Sequence, residues 1–241
     1  MNVFYLPDAQ EGSVVLPEEE SKHCVRVLRM EVGDGFLVSD GKGFIYDAIL
    51  EIPNPKKAVV NLSNKRNGYD HWPFRLEIAV APTKLNERTE WFVEKATEIG
   101  IDKVHFFTSF HSERRTINVE RFRKIAVSAL KQSMKSRLPE IDDIVPLEKL
   151  VKMPFNGDKY IAWIDDDVKD NLCDVYKKSS NALILIGPEG DFSLEEANLA
   201  MTNGFKPVSL GDARLRTETA ALAACFTVQL KNQIQPSALR L

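Results

Sequence analysis

The sequence predicts an α/β protein with a small β-rich part followed by a larger part built on a mostly parallel sheet. Residues 1 to about 68 form short, mostly extended segments separated by glycine-containing turns, a pattern typical of a small β-structure. After Pro73, apolar strand-like segments alternate with helical segments, which favours βαβ units and a parallel sheet. A polar segment with Gly and Pro, 64–73, lies between the two parts. These observations predict one domain at 1–70 and another at 71–241.

The composition is that of an ordinary globular protein without an overall basic excess. Of the 241 residues, 44% are hydrophobic and 28% are charged, which is enough apolar material for a core. The formal net charge is -3, so any contact with nucleic acid must be a local basic patch. The N-terminus lacks the features of a signal peptide, and no segment is long and apolar enough to cross a bilayer. We therefore expect a cytoplasmic protein with no membrane segment.

The predicted N-terminal domain contains four extended segments and one helix. The helix covers about 17–30, and within it Lys22, Arg26 and Arg29 follow each other at spacings of four and three. These cations are therefore predicted to share one helical face, while apolar residues between them face the β-structure. The extended segments are predicted to form a small closed or nearly closed barrel. They lie at 12–16, 35–39, 43–50 and 58–62.

The predicted C-terminal domain contains five strands and at least three helices. The first helix, 86–99, ends before Gly100, a residue suited to the left-handed conformation that ends many helices. In open parallel sheets, ligands bind beyond the carboxyl ends of the strands. A binding site is therefore expected in the loops after the last three strands. The strands are predicted at 76–81, 103–107, 160–164, 182–186 and 207–210, and two further helices at about 119–134 and 217–231.

One candidate loop is Gly-Pro-Glu-Gly at 187–190, directly after the strand that ends at Ile186. Ser193 and Glu196 follow as a capping box, which predicts the start of the next helix. The two glycines let the backbone turn sharply and approach a ligand without side-chain obstruction. A tight strand-to-helix turn without a ligand is an equally good interpretation of this motif alone.

A second candidate loop, Leu-Gly-Asp-Ala-Arg-Leu-Arg-Thr-Glu-Thr at 210–219, leads from the next strand into the last helix. The alanines that follow allow this helix to pack closely against its neighbours. Neither loop matches the glycine-rich sequences that hold phosphates, and no such sequence occurs elsewhere in the chain. A nucleotide-like ligand without a phosphate therefore fits the two loops better.

The two loops together resemble those of the bacterial ribosomal RNA small-subunit methyltransferase E family. The resemblance rests on Leu-Ile-Gly-Pro-Glu-Gly at 185–190 and on Leu-Gly-Asp-Ala-Arg-Leu-Arg-Thr-Glu-Thr-Ala at 210–220. The sequence departs from the family pattern at Asp191, where a third glycine is common, and at Met134-Lys135, where Gly-Arg is common. The resemblance covers nearly the whole chain, with further matching segments at 23–29, 32–34, 94–100, 112–114 and 132–133 and at Arg137 and Pro139.

Members of this family methylate N3 of a uridine in 16S ribosomal RNA with S-adenosyl-L-methionine and belong to the knotted SPOUT superfamily. The resemblance therefore implies a PUA-like RNA-binding β-barrel at 1–70 and a SPOUT methyltransferase domain with a C-terminal trefoil knot at 71–241. It also implies a homodimer that acts on 16S ribosomal RNA within the small ribosomal subunit. Three loops would hold the cofactor, one after Ile164, one at 186–190 and one at 210–217.

The family resemblance also suggests residues that act on the uridine and the cofactor. N3 of uridine carries a proton at neutral pH, so the enzyme must assist its removal or stabilise the developing anion. We expect Arg216 to stabilise charge on the uracil and Glu189 or Glu218 to orient the substrate or assist proton removal. A structural ion pair of Arg216 with one of these carboxylates is the alternative. The expected cofactor-binding residues are Ile164, Ile186, Gly187, Glu189, Gly190, Leu210, Gly211, Leu215, Arg216 and Thr217.

Basic residues cluster in three segments of the chain although the net charge is negative. Their grouping predicts contacts with RNA phosphates, whereas any one of them alone is more simply a solvated surface charge. The expected RNA-binding residues are Lys22, His23, Arg26, Arg29, Arg114, Arg115, Lys131, Gln132, Ser133 and Arg137.

No metal site is expected in this sequence. The four histidines have no metal-ligand spacing, and the three cysteines are far apart, as in a protein with reduced thiols. The neighbouring Phe106, Phe107 and Phe110 are expected in the core or in an interface rather than as stacking surfaces for bases.

Two other functions remain open from the sequence. One is a SPOUT methyltransferase that modifies another position of ribosomal or transfer RNA, such as a ribose hydroxyl. The other is a ribosome assembly factor that binds RNA without catalysis, although the two intact loops argue against it. The sequence leaves open which carboxylate, if any, is the base, which nucleotide is modified, and whether naked RNA or an assembled particle is the substrate.

Overall fold

The computed structural model describes residues 2–70, 72–165 and 168–234. His71, at which the predicted second domain begins, lies outside these ranges. Contacts divide the chain into a first unit, Met1–His71 with Ala126–Leu138, and a second unit, Trp72–Ile125 with Pro139–Leu241. The segment 126–138 thus groups with the N-terminal residues, although the sequence-based division placed it in the C-terminal domain.

The first unit is built on a five-stranded sheet with the order β1-β3-β4-β5-β2. The pairing of β1 with β3 is parallel and the other pairings are antiparallel. All four extended segments predicted from the sequence contain a strand of this sheet, and β1 was not predicted. The strands are β1 (Val3–Tyr5), β2 (Gly12–Val15), β3 (Gly35–Ser39), β4 (Phe44–Ile52) and β5 (Val59–Asn67).

Alternation of apolar and polar residues gives this sheet one buried face. In β5, Val60 and Leu62 are buried while the neighbouring Asn61 is exposed, as expected for a period of two. The buried side chains join Phe4, Val38 and others in one hydrophobic core. This core is the reason that the short strands of the first unit are stable together.

The helix predicted at 17–30 is shorter and less regular than expected. Helix α1 (Glu18–Lys22) continues into a π-helical turn, His23–Val27, in which the N–H of Leu28 donates to the carbonyl of His23. Arg29 follows the turn with a φ of 54°, in the left-handed region. The prediction that Arg29 shares a helical face with Lys22 and Arg26 is therefore wrong, because the helix has already ended.

The second unit contains a six-stranded parallel sheet with the order β11-β9-β10-β6-β7-β8. This confirms the predicted α/β class and parallel sheet. The five predicted strands correspond to β6, β7, β9, β10 and β11, whereas β8 was missed. The strands are β6 (Leu76–Val80), β7 (Lys103–Thr108), β8 (Glu140–Pro146), β9 (Asp158–Ala162), β10 (Ala182–Ile186) and β11 (Phe205–Val208).

Helices cover this sheet and complete its hydrophobic core. α7 packs against α2, β6 and β10, while α4 and α6 contribute to a core that includes Phe107, Ile161 and Leu185. Every residue of β10 is buried, as is typical of a central parallel strand covered on both faces. The helices of this unit are α2 (Asn86–Ile99), α4 (Leu147–Leu150), α5 (Leu172–Val175), α6 (Leu194–Thr202) and α7 (Thr217–Gln233). The residues of α3 (Val119–Gln132) belong to the second unit up to Ile125 and to the first unit from Ala126 on.

The strand order determines where a site can form. Strands β9, β10 and β11 are neighbours and run in the same direction, so the loops that follow them lie at the same edge of the sheet. In the chain, however, the ends of these strands, Ala162, Ile186 and Val208, are more than 20 residues apart from one to the next. The fold thus brings distant segments of the sequence to one place.

Candidate functional site

A cavity of about 710 Å³ lies beyond the carboxyl ends of β9, β10 and β11. Its walls come from the three loops at 162–165, 186–191 and 208–217, together with Val168 and Ala220. All of these residues belong to the second unit. The size and the position are those of a typical small-molecule pocket in an α/β fold.

All ten residues expected to bind a cofactor line this cavity. They come from three loops, and their side-chain and main-chain atoms surround the same space. Their role in binding stays a prediction, but the structure brings the whole set together. The ten are Ile164, Ile186, Gly187, Glu189, Gly190, Leu210, Gly211, Leu215, Arg216 and Thr217.

The loop after β10 leaves little room for a side chain at either glycine of its Gly-Pro-Glu-Gly motif because neighbouring groups approach closely. A Cβ atom at Gly187 would lie 3.0 Å from the carboxylate of Asp191, and one at Gly190 would lie 2.9 Å from Cβ of His111. The main-chain N–H of Asp191 donates to the carbonyl of Pro188 at 3.0 Å, which closes the turn. The motif is therefore both a tight turn and a wall of the cavity.

The capping box after this loop is confirmed. The Ser193 hydroxyl accepts a hydrogen bond from the N–H of Glu196, and the Glu196 carboxylate accepts one from the N–H of Ser193. The second oxygen of Glu196 accepts a 2.7 Å bond from the N–H of Phe110. One carboxylate thus fixes the start of α6 and the loop after β7.

Asp191, a departure from the family pattern, connects two loops of the cavity. Its Oδ2 accepts a 3.1 Å bond from the N–H of Ile164, and its Oδ1 accepts a 2.8 Å bond from the N–H of Phe192. Burial raises the pKa of this carboxyl, although both N–H groups act in the opposite direction. Its φ of 60° lies in the left-handed region, which aspartate tolerates better than most residues. The carboxylate therefore joins the loop after β9 to the loop after β10.

Glu189 lies at the mouth of the cavity with one oxygen held by the loop after β6. Its Oε1 accepts a 3.0 Å hydrogen bond from the main-chain N–H of Lys84. The guanidinium of Arg114 donates to the carbonyls of Thr83 and Lys84, at 3.2 and 2.8 Å. Arg114, expected to contact RNA, is thus engaged in holding the loop that in turn holds Glu189.

Arg216 is exposed at the N-cap position of α7 and lines the cavity. Glu218, two residues later, is buried and does not line the cavity. Its Oε1 lies 3.7 Å from Nε of Arg88 on α2. In the described parts of the chain, no ion pair joins Arg216 to Glu218 or to Glu189. The structure brings Arg216 and Glu189 to the cavity but leaves Glu218 outside it.

Two residues of the loop after β7 were not expected near the site. Nδ1 of His111 lies 3.0 Å from the main-chain oxygen of Asp191, and Phe110 is 74% exposed. Phe106 and Phe107 are buried, as expected for core residues, whereas Phe110, for which a core or interface position was expected, is not in the core. No signal in the sequence marks His111 or Phe110, because their contacts join loops that are about 80 residues apart.

The residues expected to bind RNA in the first unit differ in their surroundings. Lys22, Arg26 and Arg29 are exposed, as phosphate contacts require. Nζ of Lys131, in contrast, lies 2.7 and 2.9 Å from the two carboxylate oxygens of Glu20. Lys131 is therefore part of an ion pair within this unit.

The remaining expected RNA contacts lie near the end of α3 and around it. Gln132 is exposed, and the Ser133 hydroxyl donates to the carbonyl of Ala129 at 2.6 Å. The main-chain N–H of Arg137 donates to Asp70, and the ring of His23 lies 5.8 Å from the ring of Phe4. Arg115, in the second unit, is exposed. Which of these residues contact RNA stays a prediction.

A second polar cluster lies on strands β6, β7 and β8. Nε2 of His105 lies 2.6 Å from Oε2 of Glu77, and its Nδ1 lies 3.2 Å from Asp142. Arg75 pairs with the other oxygen of Glu77 and with Glu140. Burial opposes ionisation of Glu77, but the bonds from His105 and Arg75 outweigh it and lower its pKa. The contacts of His105 with Glu77 and Asp142 therefore indicate a structural role for this histidine.

The described residues form neither a metal-ligand group nor a helix that could span a membrane. No three His, Cys, Asp or Glu side chains within 2–70, 72–165 and 168–234 are grouped as metal ligands. In the same ranges, none of the helices combines the length and the apolar character that a bilayer crossing requires. The absence of a metal in the function stays a prediction.

Comparisons with known proteins match both parts of the chain. A family model described as an RNA methyltransferase domain matches residues 70–229, and one described as an RNA methyltransferase PUA domain matches residues 16–63. The ribosomal RNA small subunit methyltransferase E of Bacillus subtilis is 26% identical over 232 residues, which cover 90% of this chain and 89% of that protein.

Two solved structures are similar over almost their full length. A probable rRNA-methyltransferase from Porphyromonas gingivalis is 42% identical with a TM-score of 0.89, covering 96% of this chain and 98% of that one. A ribosomal RNA small subunit methyltransferase E from Neisseria gonorrhoeae, bound to S-adenosyl methionine, is 27% identical with a TM-score of 0.86. The match covers 95% of this chain and 97% of that one.

Proposed function

Because this chain belongs to the RNA methyltransferase family, we propose that it transfers the methyl group of S-adenosylmethionine to N3 of a uridine in 16S ribosomal RNA. One observation carries the proposal. The ten residues that the resemblance assigns to the cofactor all line a single cavity at the carboxyl edge of the sheet. Relatives named as small-subunit ribosomal RNA methyltransferases match nearly the whole chain, which supports the RNA substrate.

The cavity fits S-adenosylmethionine in size and in the chemistry of its walls. Its volume of about 710 Å³ lies within the usual range for small-molecule pockets, roughly 300 to 1,000 Å³. Gly187 and Gly190 bring the main chain close to the ligand space, where N–H and carbonyl groups can bind an adenine and a ribose. The Neisseria relative is bound to this same molecule.

The chain's own residues supply orientation, charge stabilisation and a proton acceptor. Bound S-adenosylmethionine supplies an electrophilic methyl group on sulfur. Arg216, exposed on the cavity wall, stabilises negative charge that develops on the uracil as N3 loses its proton. Glu189 accepts that proton at Oε2, because its Oε1 is already bound to the N–H of Lys84. Alignment of the two reactants by the three loops contributes roughly 7 to 11 kcal/mol in favourable cases.

The first unit holds the RNA through exposed basic residues. Lys22, Arg26 and Arg29 lie on α1 and the segment that follows it, within or next to the residues matched by the PUA model. Phosphate contacts of this kind make RNA affinity fall steeply as the salt concentration rises. We propose that this unit forms a PUA-like barrel, which the five-stranded sheet with its buried core supports.

The C-terminal part of the second unit is proposed to form a trefoil knot. The segment after β9 and the segment after β11 bind each other through their main chains. The N–H of Ser209 donates to the carbonyl of Asp170 at 2.8 Å, and the N–H of Leu172 donates to the carbonyl of Ser209 at 2.9 Å. These bonds hold the two segments side by side, which supports the proposal.

A homodimer is proposed on the basis of an exposed apolar stripe on α7. Phe226 and Leu230 are four residues apart and share one face of the helix, and Ile234 follows four residues later at the C-cap; all three are exposed. Trp91 on α2, the helix that packs against α7, is exposed too. A second copy of the chain would cover this surface. The proposed location is the cytoplasm, where ribosomal subunits are found.

Incubation of the purified protein with labelled methyl donor and small ribosomal subunits lacking the modification tests this function. We expect label in 3-methyluridine after nucleoside analysis, and a parallel reaction with naked 16S ribosomal RNA separates the two forms of substrate. Label in a ribose-methylated nucleoside would favour another SPOUT activity. No calorimetric binding of S-adenosylmethionine would favour the non-catalytic assembly factor.

A further inference from the structure

The ring of Phe110 is a large apolar surface that the fold leaves exposed. It is 74% exposed and stands in the loop after β7. The N–H of Phe110 donates a 2.7 Å bond to Glu196, and its ring packs edge to face with His111, with 4.9 Å between the ring centroids. The main chain of Phe110 is thus fixed by Glu196 and one edge of its contact surface by His111, while most of the side chain faces solvent.

Contacts of His111 place this ring beside the mouth of the cavity. Nδ1 of His111 lies 3.0 Å from the main-chain oxygen of Asp191, and Gly190 packs directly against the His111 side chain. Both Gly190 and Asp191 line the cavity. Phe110 is therefore next in sequence to a residue that contacts the cavity wall.

A second exposed apolar side chain belongs to Ile164, whose main chain also contacts Asp191. Ile164 is 71% exposed and lines the cavity, and its N–H donates to the Asp191 carboxylate. Exposed apolar surface that is rimmed by polar residues commonly marks a binding surface. Phe110 and Ile164 are therefore positioned to contact a molecule larger than the one that fills the cavity.

The charges around this surface fit an RNA strand. Arg115 follows in the same loop and is exposed, and Arg214 and Arg216 line the cavity as exposed cations. Four carboxylates, of Asp165, Glu189, Asp191 and Asp212, also line the cavity, so charge alone does not identify the ligand. The exposed aromatic ring points to a single-stranded nucleic acid. Such strands bind by stacking their bases on aromatic rings and by placing their phosphates on basic groups.

We propose that Phe110 is a stacking site for an unpaired base of the RNA that neighbours the nucleotide entering the cavity. This inference rests on the proposed function, because it assumes that RNA reaches the cavity. Stacking of one neighbouring base holds the strand in register while the target uridine leaves its own stack. The ring thereby orients the substrate without touching the reacting atoms.

Three substitutions at position 110 separate stacking from simple apolar contact. Phe110→Ala removes the ring, Phe110→Leu keeps an apolar side chain without a π-face, and Phe110→Trp keeps a stacking surface. Binding of unmethylated 16S ribosomal RNA is measured by filter binding and binding of S-adenosylmethionine by calorimetry. We expect the Ala and Leu variants to bind the RNA about 5- to 150-fold more weakly, the loss expected for one base stack. The Trp variant should bind it as the wild type does, and all three should bind S-adenosylmethionine normally.

Each other result overturns the stacking proposal. Equal RNA affinity of the wild type, Ala and Leu variants would show that the ring does not contact RNA. Normal binding by the Leu variant alone would show an unspecific apolar contact. A change of the Ala variant from dimer to monomer in sedimentation would assign the ring to an interface between copies. If the wild type itself neither bound nor methylated the RNA, the proposed function would fail, and this outcome is distinct from a defect confined to the variants.

Discussion

Nε2 of His105 on β7 lies 2.6 Å from Oε2 of Glu77 on the neighbouring strand β6, and both side chains are buried. Arg75 binds the other oxygen of the same carboxylate. Although burial raises the energy of the charged form, these two partners lower the pKa of Glu77 below its ordinary value of 4.5. The ionised form of Glu77 therefore stabilises the fold.

Replacing Glu77 with Gln is expected to lower the free energy of unfolding at pH 7 by about 3 kcal/mol, because a buried ion pair loses one partner. A carboxyl with a lowered pKa contributes stability above its unfolded-state value and loses it as the pH falls through the folded-state value. The difference between variant and wild type should therefore shrink below about pH 4.5. Urea unfolding at several pH values measures it, with the exposed Glu148→Gln as control. A difference that stays constant with pH would contradict the role of the ionised form.

Arg114 and Arg115 are neighbours with different surroundings, so their alanine variants should behave differently. Arg114 donates to the carbonyls of Thr83 and Lys84, whereas Arg115 is exposed. We expect Arg114→Ala to weaken binding of S-adenosylmethionine by about tenfold or more, since hydrogen bonds from a charged group each contribute about 1.5 to 3 kcal/mol. Arg115→Ala should leave that binding unchanged and reduce the slope of RNA affinity against salt by about 0.7 to 0.9. If RNA affinity depended on salt concentration identically in both variants, the different roles assigned to Arg114 and Arg115 would be contradicted.

Arg216 is expected to act on the reaction rather than on folding. It is exposed at the start of α7 and lines the cavity. Arg216→Ala should slow the single-turnover methylation rate by about 100-fold, the usual effect of losing one group that stabilises developing charge. Thermal unfolding should stay near that of the wild type. An unchanged single-turnover rate in the folded variant would disprove the assigned role.

Glu218 is expected to act on stability through its contact with Arg88. The two groups lie 3.7 Å apart, and Glu218 is buried outside the cavity. A double-mutant cycle with Arg88→Ala and Glu218→Ala should give a coupling free energy of about 1 kcal/mol in unfolding experiments. The single-turnover methylation rate of Arg88→Ala should stay close to normal. Zero coupling, together with a slow reaction in Glu218→Ala alone, would instead indicate a role for Glu218 in the chemistry.

The apolar stripe on α7 should determine the oligomeric state. Leu230→Asp places a charge between Phe226 and Ile234, all of which are exposed on the single chain. In a dimer that buries this stripe the charge would lose its solvation, so we expect the variant to sediment as a monomer at concentrations where the wild type is a dimer. Ile52→Asp, at an exposed apolar position of the first unit, is the matched control. A dimeric Leu230→Asp variant would place the interface elsewhere.

The strands and the cavity loops of the second unit could be predicted because local signals mark them. The strand β10 is a continuous apolar run, and the capping box at Ser193 and Glu196 marks where the next helix begins. Strand β8 gave no such signal, because Asp142 and Asp143 interrupt its apolar residues at the edge of the sheet. Long apolar runs identify central strands, and edge strands lack them.

Contacts between distant segments could not be predicted from the sequence. Arg114 looked like a surface cation, but its guanidinium binds main-chain carbonyls about 30 residues earlier in the chain. Lys131 similarly pairs with Glu20, which is 111 residues away. Regular helical spacing also failed at Arg29, because a π-helical turn precedes it. Such features depend on tertiary packing, which composition and periodicity do not encode.

The carboxylate of Glu196 gives one of its oxygens to the N–H of Ser193 and the other to the N–H of Phe110. A substitution of Glu196 would therefore remove hydrogen bonds from two segments that are far apart in the sequence. Evolution can alter the length of either loop only while both amides still reach the same group. The position of Phe110 and the first turn of α6 therefore depend on the same carboxylate.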